Sequence, residues 1–490
     1  MSFAVPNDWE SDFGTEKSSL KMTRSDVRQK RWAVVGGGFL GMTIALRLAQ
    51  NGQSVTLYDA APGLGGLASA WKLQDVVWDR HYHVILQSDI HLLSLLRELG
   101  LESELHWATA RTGFYVDSCF YSLSNVFEFL TFPPLKLVDK LRLAATVLAA
   151  SRIKNWKRLE GIPVAEWLRK WSGRRVLEKI WLPLLRAKLG ESYKETSAAF
   201  IWATIARMYA ARRRGMKKEL FGYVRGGYAR IIEEFAKVLR QNEVRVELGQ
   251  PVRSVRSGDQ AATQLELADG SSETFDQVVL TTALPIVSRT CPQLTALEMA
   301  QINRVKYLGI ICASLLLKEP LSEFYITNIT DDRVPYTAVI EMSSLVERQS
   351  FGGQSLVYLP KYLASNAPEF DLTDNQLQGL FIGALRRMYP RFKEENLLCF
   401  RVSRVRHLLP VQTLNYSDQL PKMVTSIPGV YLVNSSQIVN GTLNVNETVQ
   451  LAERAAHQFA EAELGDESYL EYANRALSEA DRQPLAGCRQ

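Results

Sequence analysis

Three glycines in the stretch GGGFLG have the spacing Gly-x-Gly-x-x-Gly. Gly36 permits a tight turn, Gly38 lets the backbone approach a diphosphate, and Gly41 allows a helix to pack closely on a strand. An apolar strand precedes the turn and a helix follows it, so free amide groups near Phe39 and Leu40 would face phosphate oxygens. This pattern predicts a dinucleotide site, and by itself it leaves open whether the dinucleotide carries nicotinamide or flavin.

An acidic residue and a second pair of glycines follow the first turn. Asp59 closes the next strand, 18 residues beyond Gly41, where a carboxylate can accept hydrogen bonds from ribose hydroxyls. A spacer of five residues then separates Asp59 from Gly65 and Gly66. A nicotinamide-binding domain has no general need of a second glycine pair at this place.

These two motifs resemble the FAD site of the amine oxidase, protoporphyrinogen oxidase and phytoene desaturase superfamily, in particular its bacterial protoporphyrinogen-oxidase-like branch. The likeness runs in segment order over residues 31–460. Relatives often carry Arg after the second glycine pair, whereas this chain has Leu67, which removes one charge contact with phosphate. The resemblance implies that the cofactor is FAD and that the backbone around Phe39, Leu40 and Leu67 contacts it.

Later stretches extend the resemblance. ELGQPVRSV is similar to the strand that contacts adenine, with Val252 at the contacting position. PGVYLVNSSQIVNGTLNVNETVQ is similar to the closing flavin motif, which is a strand, a polar turn and a helix. Many relatives have Gly-Asp after that strand, where this chain has Val433 and Asn434, so an amide replaces a carboxylate. The resemblance adds the residues before the helix to the FAD site: Thr442, Leu443 and Asn444.

The stretch WDRHYHVIL carries the histidines that could move a proton. The resemblance implies that it passes near the flavin ring, with His83 nearest and therefore the candidate catalytic residue. If the stretch is a strand, His81 and His83 share one face and Tyr82 points away. The alternative is that both histidines only pack and form hydrogen bonds. No Cys, Asp or Glu cluster completes a His-x-His metal site, so no metal is expected.

Two further stretches resemble parts of the branch's substrate domain. KIWLPLLRAKLGESY contains Lys188, which we interpret as a solvated charge. YITNITDDRVPYTAVIEMSSLV resembles a strand pair that walls a substrate cavity in relatives. Its residues Tyr325, Tyr336 and Glu341 could therefore face a substrate, although their alternation equally fits a half-buried sheet.

A basic and apolar region leaves two interpretations open. Residues 138–159 combine an apolar helical stripe with six cationic side chains, and RMYAARRRGMKK, at 207–218, is almost purely cationic. Such a pair can lie on an anionic membrane surface. It can equally be a solvated face, as most charge runs are.

Composition restricts the function classes further. The net charge of +6 and the 22% of charged residues are ordinary, so no nucleic acid partner is expected. The five cysteines form no Cys-x-x-Cys pair, and the first thirty residues have no apolar segment that would serve as a secretory signal. The sequence therefore predicts a cytoplasmic protein, in one interpretation peripheral on the inner face of the membrane, and leaves its oligomeric state open.

A chain of 490 residues exceeds what one core usually supports, so at least two domains are expected. The motifs lie at the start, middle and end of the chain, which predicts an α/β fold: a discontinuous Rossmann-type FAD-binding domain with an α+β substrate domain that contains a mixed sheet and a helical insertion. The predicted segments are a flexible leader (1–30), the FAD-binding domain (31–105, 222–290 and 405–462), the substrate domain (106–221 and 291–404) and a tail (463–490).

Three functions are compatible with these motifs. The leading hypothesis is an FAD-dependent oxidoreductase that dehydrogenates a lipophilic or cyclic organic substrate by hydride transfer to flavin N5. The second is a non-redox flavin enzyme similar to UDP-galactopyranose mutase, which shares the early motifs. The third is a flavin-binding protein that has lost catalysis.

Overall fold

The computed structural model describes residues 29–124, 126–212, 220–257 and 262–463. The predicted leader and tail lie almost wholly outside these ranges, and so does the second half of the cationic stretch, residues 213–218. Within them, chain order alternates strands with helices at the beginning and places a block of helices between residues 126 and 212.

Twenty strands are present in the described residues. They are β1 (Arg31–Val35), β2 (Ser54–Asp59), β3 (Ala70–Leu73), β4 (Val76–Asp79), β5 (Ile85–Leu86), β6 (Leu105–Thr109), β7 (Thr112–Val116), β8 (Cys119–Ser122), β9 (Leu220–Val224), β10 (Arg245–Leu248), β11 (Val252–Ser257), β12 (Thr263–Leu267), β13 (Ser272–Phe275), β14 (Gln277–Leu280), β15 (Tyr307–Leu317), β16 (Ile326–Ile329), β17 (Ala338–Glu341), β18 (Ser355–Ala364), β19 (Leu397–Pro410) and β20 (Val430–Leu432).

The helices of the same ranges form the second list. They are α1 (Phe39–Gln50), α2 (Ile90–Glu98), α3 (Val126–Thr131), α4 (Leu137–Ala150), α5 (Lys157–Glu160), α6 (Val164–Ser172), α7 (Arg174–Val176), α8 (Leu182–Leu189), α9 (Ala198–Arg212), α10 (Gly227–Gln241), α11 (Leu284–Thr290), α12 (Ala296–Arg304), α13 (Asp374–Met388) and α14 (Val445–Glu463), and a π-helical turn, Leu177–Trp181, joins α7 to α8.

A five-stranded parallel sheet brings the distant motifs together. Its order is β10-β2-β1-β14-β20, and every neighbouring pair is parallel. One face packs against α1, α2, α10 and α14, and the other against the β11–β13 meander and α11. Because both faces are covered, the central strand β1 is buried from Trp32 to Val35. The carboxyl ends of strands that are far apart in sequence therefore meet at one edge.

A seven-stranded mixed sheet forms the second layer. Its order is β19-β15-β18-β17-β16-β7-β8, with only the β16–β7 pair parallel. All eleven residues of β15 are buried because α13 covers one face of the sheet and the segment around Trp78 and Tyr82 covers the other. The α/β class with a mixed second sheet is as predicted, while the domain boundaries remain predictions.

Several local predictions can be checked directly. The strand pair of YITNITDDRVPYTAVIEMSSLV is confirmed as β16–β17, and Asp269 and Gly270 turn the chain between β12 and β13. Residues 78–86 do not form the continuous strand on which a shared face of His81 and His83 would depend. Pairing of β4 with β3 ends at Asp79, and the backbone is irregular until β5 begins at Ile85. Among the described residues, no helix is both long and apolar enough to cross a bilayer.

Candidate active site

The first glycine turn joins β1 to α1 and has little room for side chains. Gly36 has a φ of +117° and donates its N–H to the carbonyl of Tyr58 at 2.8 Å. A Cβ on Gly41 would lie 1.8 Å from the carbonyl oxygen of Gly36, so this position requires glycine. A Cβ on Gly38 would meet nothing nearer than 3.9 Å, which leaves open space directly before the first turn of α1.

The second glycine pair docks onto the first turn. The N–H of Gly65 donates to the carbonyl of Gly37 at 2.8 Å, and Gly38 and Gly65 form an isolated parallel bridge. Gly65 and Gly66 have φ values of +107° and +55°, which favour glycine. The two glycine motifs therefore make one continuous backbone surface, as their joint resemblance to a dinucleotide site implies.

Asp59 holds this surface in place. Its Oδ2 accepts the N–H of Gly37 at 2.6 Å, and its Oδ1 accepts the N–H of Ala61 at 2.7 Å. The sequence interpretation gave Asp59 only a role toward ribose and missed Gly37. An ionised carboxylate has about four acceptor sites, so both oxygens can still accept hydroxyl protons from a ligand.

The predicted adenine-contacting strand lies beside the same acid. Leu248 of β10 pairs with Asp59, and the N–H of Gln250 donates to the carbonyl of Asp59 at 3.0 Å. Val252 begins β11 two residues later and is partly exposed. The structure thus brings Val252 to the acidic end of β2, although 193 positions (252 − 59) separate it from Asp59 in sequence.

Buried polar atoms without a partner lie where β14 and β20 end. Asn434 follows β20, is 1% exposed, and uses its Oδ1 to accept the N–H of Ser436 at 2.9 Å. Its Nδ2, and the Oγ of Thr282 after β14, are buried with no hydrogen-bond partner among the described residues. Because buried polar groups are normally satisfied, these atoms, together with the open space at Gly38, fit a bound group rich in acceptors.

The segment before α14 is arranged as a helix cap. Asn444 accepts the N–H of Glu447 at 3.0 Å through its Oδ1 and donates its Nδ2 to the carbonyl of Thr442 at 2.7 Å. Leu443 is partly buried against the core that α1 and α14 share. This geometry gives Asn444 a structural function that the sequence interpretation did not include.

His81 fixes the second glycine pair and is not part of a strand face with His83. Its Nδ1 lies 3.0 Å from the carbonyl oxygen of Leu67. Burial lowers the pKa of His81 to about 4, so the ring is neutral at pH 7 and Nδ1–H is the donor. The packing alternative therefore applies to His81.

His83 lies between a buried acid and an aromatic ring. Its Nδ1 is 3.8 Å from Oδ2 of Asp79, which is longer than a hydrogen bond, and its ring centroid is 4.8 Å from that of Tyr228. Asp79 accepts the N–H of Tyr228 at 2.7 Å, and burial raises the pKa of its carboxyl. Tyr228 in turn packs edge-on against Phe39, the first residue of α1. His83 is thus connected to the glycine turn through one aromatic ring.

Tyr82 points to the mixed sheet and meets a lysine there. Its hydroxyl is 2.8 Å from that of Tyr362 on β18, and the Nζ of Lys188 on α8 lies 3.6 Å from the Tyr362 ring centroid. Burial lowers the pKa of Lys188 to about 7. The interpretation of Lys188 as a solvated charge is therefore wrong. We call the side chains of Tyr82, Tyr362 and Lys188 the aromatic wall.

The three strand-pair residues do not act together. Tyr325 is buried in the same cluster as Tyr82, on the face of the sheet that carries the aromatic wall. Tyr336 packs on Phe381 of α13, on the opposite face. Glu341 is fully buried and accepts the N–H of Leu321 at 3.0 Å, and burial raises its pKa to about 7. The idea that all three face one substrate is therefore wrong.

Two other features carry no predicted site residue. An open groove of about 920 Å³ is lined in part by Leu321, Phe324 and Tyr389. No residue of the glycine turn lines it. Within the described residues, no group of three or more His, Cys, Asp and Glu side chains is arranged to hold a metal ion.

The sequence pattern of the family described as flavin containing amine oxidoreductase matches residues 41–458. The chain belongs to this family. The family is one of flavin-containing oxidoreductases, which agrees with the FAD site that the sequence predicts. The match covers the end of the first glycine turn, the second glycine pair, the aromatic wall and α14 to its last residues.

Individual relatives are more distant. Zeta-carotene desaturase of Synechocystis sp. is 24% identical over 313 residues, which are 57% of this chain and 63% of the desaturase. The chain thus spans less than two thirds of that relative. A solved triple mutant of putrescine oxidase has a TM-score of 0.70 at 16% identity, covering 89% of this chain and 99% of that one. Reduced UDP-galactopyranose mutase has a TM-score of 0.68 at 13% identity, covering 92% and 99%. These two likenesses show the fold alone.

Proposed function

We propose that the FAD of this enzyme is held at the edge where β1, β2, β14 and β20 end, and that the enzyme dehydrogenates a lipophilic or cyclic organic substrate. Bound FAD supplies the hydride acceptor, its N5 atom. The residues that would hold it are Gly36, Gly38, Phe39, Leu40, Gly41, Asp59, Gly65, Gly66, Leu67, Val252, Asn434, Thr442, Leu443 and Asn444.

The backbone carries most of the cofactor site in this proposal. The open space at Gly38 and the unpaired amide groups at the start of α1 suit a diphosphate, because a helix N-terminus offers N–H donors and a positive dipole. Asp59 orients Gly37 and keeps acceptor sites for ribose hydroxyls. The unsatisfied Nδ2 of Asn434 provides a donor at the end of β20.

One observation supports the enzymatic half of the proposal above the others. Residues 79–84 contact both the edge where β1, β2, β14 and β20 end, which we call the cofactor edge, and the side chains of the aromatic wall. His81 bonds to Leu67 beside the glycine pair, and the next residue, Tyr82, bonds to Tyr362 on the mixed sheet. A substrate lying against the aromatic wall would therefore be next to the cofactor, as hydride transfer requires.

His83 is the proposed proton-handling residue. It remains 20% exposed in its side chain, and its Nδ1 has no hydrogen-bond partner among the described residues. The nearby Asp79 would stabilise an imidazolium by its negative charge whenever both groups are ionised. His83 can therefore accept a proton from the substrate side while Tyr228 holds its ring in place.

The substrate class is supported by the composition of the wall and by one relative. Tyr82 and Tyr362 present aromatic surface, which suits an apolar or ring-containing molecule. The relative from Synechocystis sp. is named for zeta-carotene, a hydrocarbon. The electron acceptor that reoxidises FAD is not part of this proposal.

The test is anaerobic addition of candidate substrates to the yellow protein. Bleaching of the flavin absorption by an apolar or cyclic compound, with formation of its dehydrogenated product, is the expected result. Isomerisation of a sugar nucleotide that requires only pre-reduced flavin would favour the mutase alternative, which the shared fold with UDP-galactopyranose mutase keeps in view. Absence of both reactions across the panel would favour a flavin-binding protein without catalysis.

A peripheral membrane contact is the second part of the proposal. Large apolar side chains are exposed on α3 and α4, and we call this set the α3–α4 patch: Phe127, Leu130, Leu137, Val138, Leu141 and Leu148. Exposed cations lie beside it at Arg142 and Arg152. A contiguous apolar surface with a basic rim suits an anionic membrane.

The structure also corrects the sequence description of this region. The single helix expected over 138–159 is broken, since α4 ends at Ala150 and α5 begins at Lys157. Lys140 is buried and donates to the carbonyl of Leu130, and Lys157 pairs with Glu160 at 2.8 Å. Neither cation is free to meet lipid headgroups. The arginines expected to bind lipid at 213 and 214 lie outside the described residues, and so does the side chain of Arg212.

A further inference from the structure

Lys188 is a cation that has no counter-ion among the residues that the structure describes. It lies on α8, one residue before the helix ends, and its Nζ is over the ring of Tyr362. No carboxylate among the described residues pairs with it, and its altered pKa has burial as its only cause. The other lysines of this segment, Lys179 and Lys194, form surface ion pairs with Asp117 and Glu191. Lys188 therefore differs from its neighbours in both depth and partner.

The side chains of the aromatic wall keep accessible surface although protein surrounds them. Tyr82, Tyr362 and Lys188 are surrounded by protein deeply enough to shift their pKa values strongly, yet each keeps an intermediate accessible surface. His83 and Val84, on the same segment as Tyr82, are also partly accessible. The partly accessible side chains therefore run from Lys188 through Tyr362 and Tyr82 to His83 and Val84.

The other titratable groups around Lys188 are neutral at pH 7. Burial raises the pKa of Tyr82 to about 12. It also raises the pKa values of the Cys312 thiol and of the Tyr325, Tyr358 and Tyr362 hydroxyls. Glu191 and Lys194, in the turn after α8, are exposed and pair with each other. The neutral groups on the elements that adjoin α8 and the aromatic wall are Tyr82, Cys312, Tyr325, Tyr358 and Tyr362.

A buried ammonium needs a negative partner. The ring face of Tyr362 makes a cation–π contact that replaces part of the hydration that the ammonium of Lys188 loses on burial. The ring carries no formal charge, however. Burial of an unpaired ammonium is costly unless a counter-ion completes the pair. The described residues supply none, so a molecule that reaches the aromatic wall with an acidic group would be bound selectively.

We propose that Lys188 anchors a carboxylate of the substrate, with the apolar body of that substrate lying against Tyr82 and Tyr362. This inference rests on the proposed function, because it takes the aromatic wall as the substrate site. It narrows the substrate class to apolar or cyclic molecules that carry one acidic group. The acid is held at Lys188, and the body reaches along Tyr82 to the segment that bonds to Leu67 beside the second glycine pair.

The anchoring is expected to depend on pH in one direction. The ammonium form predominates below about pH 7 and the neutral amine above it, in the absence of a ligand. Affinity for a carboxylate is therefore highest in mildly acidic solution and falls as the pH rises. A neutral Lys188 acting as a proton acceptor would give the opposite trend, with the rate of flavin reduction increasing through the same range.

The experiment compares two probes of one shape on the FAD-loaded protein. Calorimetric affinities of 2-naphthoate and 2-naphthamide are measured at pH 6 and pH 9 for wild type, Lys188→Met and the control Lys194→Met. We expect wild type and the control to prefer the carboxylate by about tenfold to hundredfold at pH 6, because a charge-assisted hydrogen bond is gained. The preference is expected to shrink at pH 9 and to disappear in Lys188→Met.

Four outcomes would overturn the inference. These are equal affinities of wild type for both probes, no binding of either probe, an unchanged preference in Lys188→Met, and loss of FAD from Lys188→Met, since the last would make the cofactor the anionic partner. FAD content and melting temperature of each sample show whether a variant has folded. If the preference behaves as expected and no substrate ever bleaches the flavin, the proposed function fails while the carboxylate anchor stands.

Discussion

The glycine turn between β1 and α1 consists of backbone, whereas the aromatic wall consists of side chains. In the turn, Gly36 requires glycine because its φ is positive, and Gly41 requires glycine because a Cβ has no space there. The atoms of the turn that would face a ligand are amide groups. In the wall, Tyr82, Tyr362 and Lys188 come from a loop, a strand and a helix that pack against one another.

This difference has a consequence for mutagenesis. A substitution in the turn changes cofactor binding through backbone space, and a substitution in the wall changes the aromatic surface without moving the backbone of the turn. Cofactor content and substrate choice should therefore respond to different residues. Segment 79–84 is the exception, because it touches both regions.

The largest effect is expected at Gly38. Gly38→Val places a branched side chain in open space, so the protein should fold, but that space is where the diphosphate would lie. We expect the variant to purify colourless, with flavin absorption absent. The control Gly63→Val adds a side chain that meets nothing within 4 Å and should retain FAD. Full flavin occupancy in Gly38→Val would refute the site.

His83→Ala should separate chemistry from cofactor binding. We expect FAD to stay bound and substrate-driven flavin reduction to slow by about 10²–10⁴-fold, as for loss of general acid–base assistance. The control His106→Ala removes a ring of β6 that stacks on Tyr223 of β9, and it should leave the rate unchanged. Single-turnover reduction as fast as in wild type would end the catalytic assignment of His83.

Asp59→Ala should weaken FAD binding by about 1.5–3 kcal/mol through the loss of charge-assisted hydrogen bonds. Part of this effect is expected because the variant also loses the hydrogen bonds that the Asp59 carboxylate accepts from the N–H groups of Gly37 and Ala61. Asp269→Ala is the matched control, since Asp269 also accepts a backbone N–H, that of Ser271, but in an exposed hairpin turn. Equal dissociation constants for wild type and Asp59→Ala would contradict the role.

The sequence predicts more of the fold than of the arrangement of side chains at the aromatic wall. The turn from Gly36 to Gly41 is a short-range feature, so its glycines specify a strand, a turn and a helix locally. The orientation of Tyr82 depends on where β3 and β4 stop pairing, at Asp79, and on a hydrogen bond from Arg80 to Ser69. Nothing in the residues 78–86 themselves signals that stop.

Lys188 shows the same limit more strongly. In the sequence, a lysine near the end of this helix is interpreted as a surface charge. Only the packing of α8 against β18, more than 160 residues away (355 − 189 = 166), buries the side chain over Tyr362. Long-range contacts of this kind leave no trace in local spacing. The separation of Tyr336 and Glu341 from Tyr325 follows from the two covered faces of the mixed sheet.

A smaller effect is expected at the α3–α4 patch. If it contacts lipid, the double variant Val138→Glu and Leu141→Glu should lower co-sedimentation with anionic liposomes by about tenfold or more, since apolar burial is lost and like charge is added. Leu297→Glu on α12, where Leu297 is 70% exposed, is the control and should bind as wild type. Failure of wild type to bind any vesicle would leave the solvated-face alternative.

The smallest effect is a pH slope from His81. Because its pKa is lowered from 6.5 to about 4, the unfolded chain takes up a proton below pH 6.5 that the folded protein does not. The stability that the neutral ring contributes is therefore complete above pH 6.5 and is lost as the pH falls toward 4. Melting temperatures of His81→Ala should be lower at pH 7.5 and should fall less steeply between pH 6.5 and 4.5. A parallel curve for the variant and wild type would contradict this account.

The contact between the cofactor edge and the aromatic wall is the central claim, and the visible spectrum of bound FAD tests it most directly. Titration with the neutral probe 2-naphthamide is followed by calorimetry and by absorption on the same sample. We predict saturable binding with a saturable shift of the flavin bands, at one dissociation constant by both methods, because the probe would lie beside the flavin. Binding seen by calorimetry with an unchanged flavin spectrum would contradict the claim.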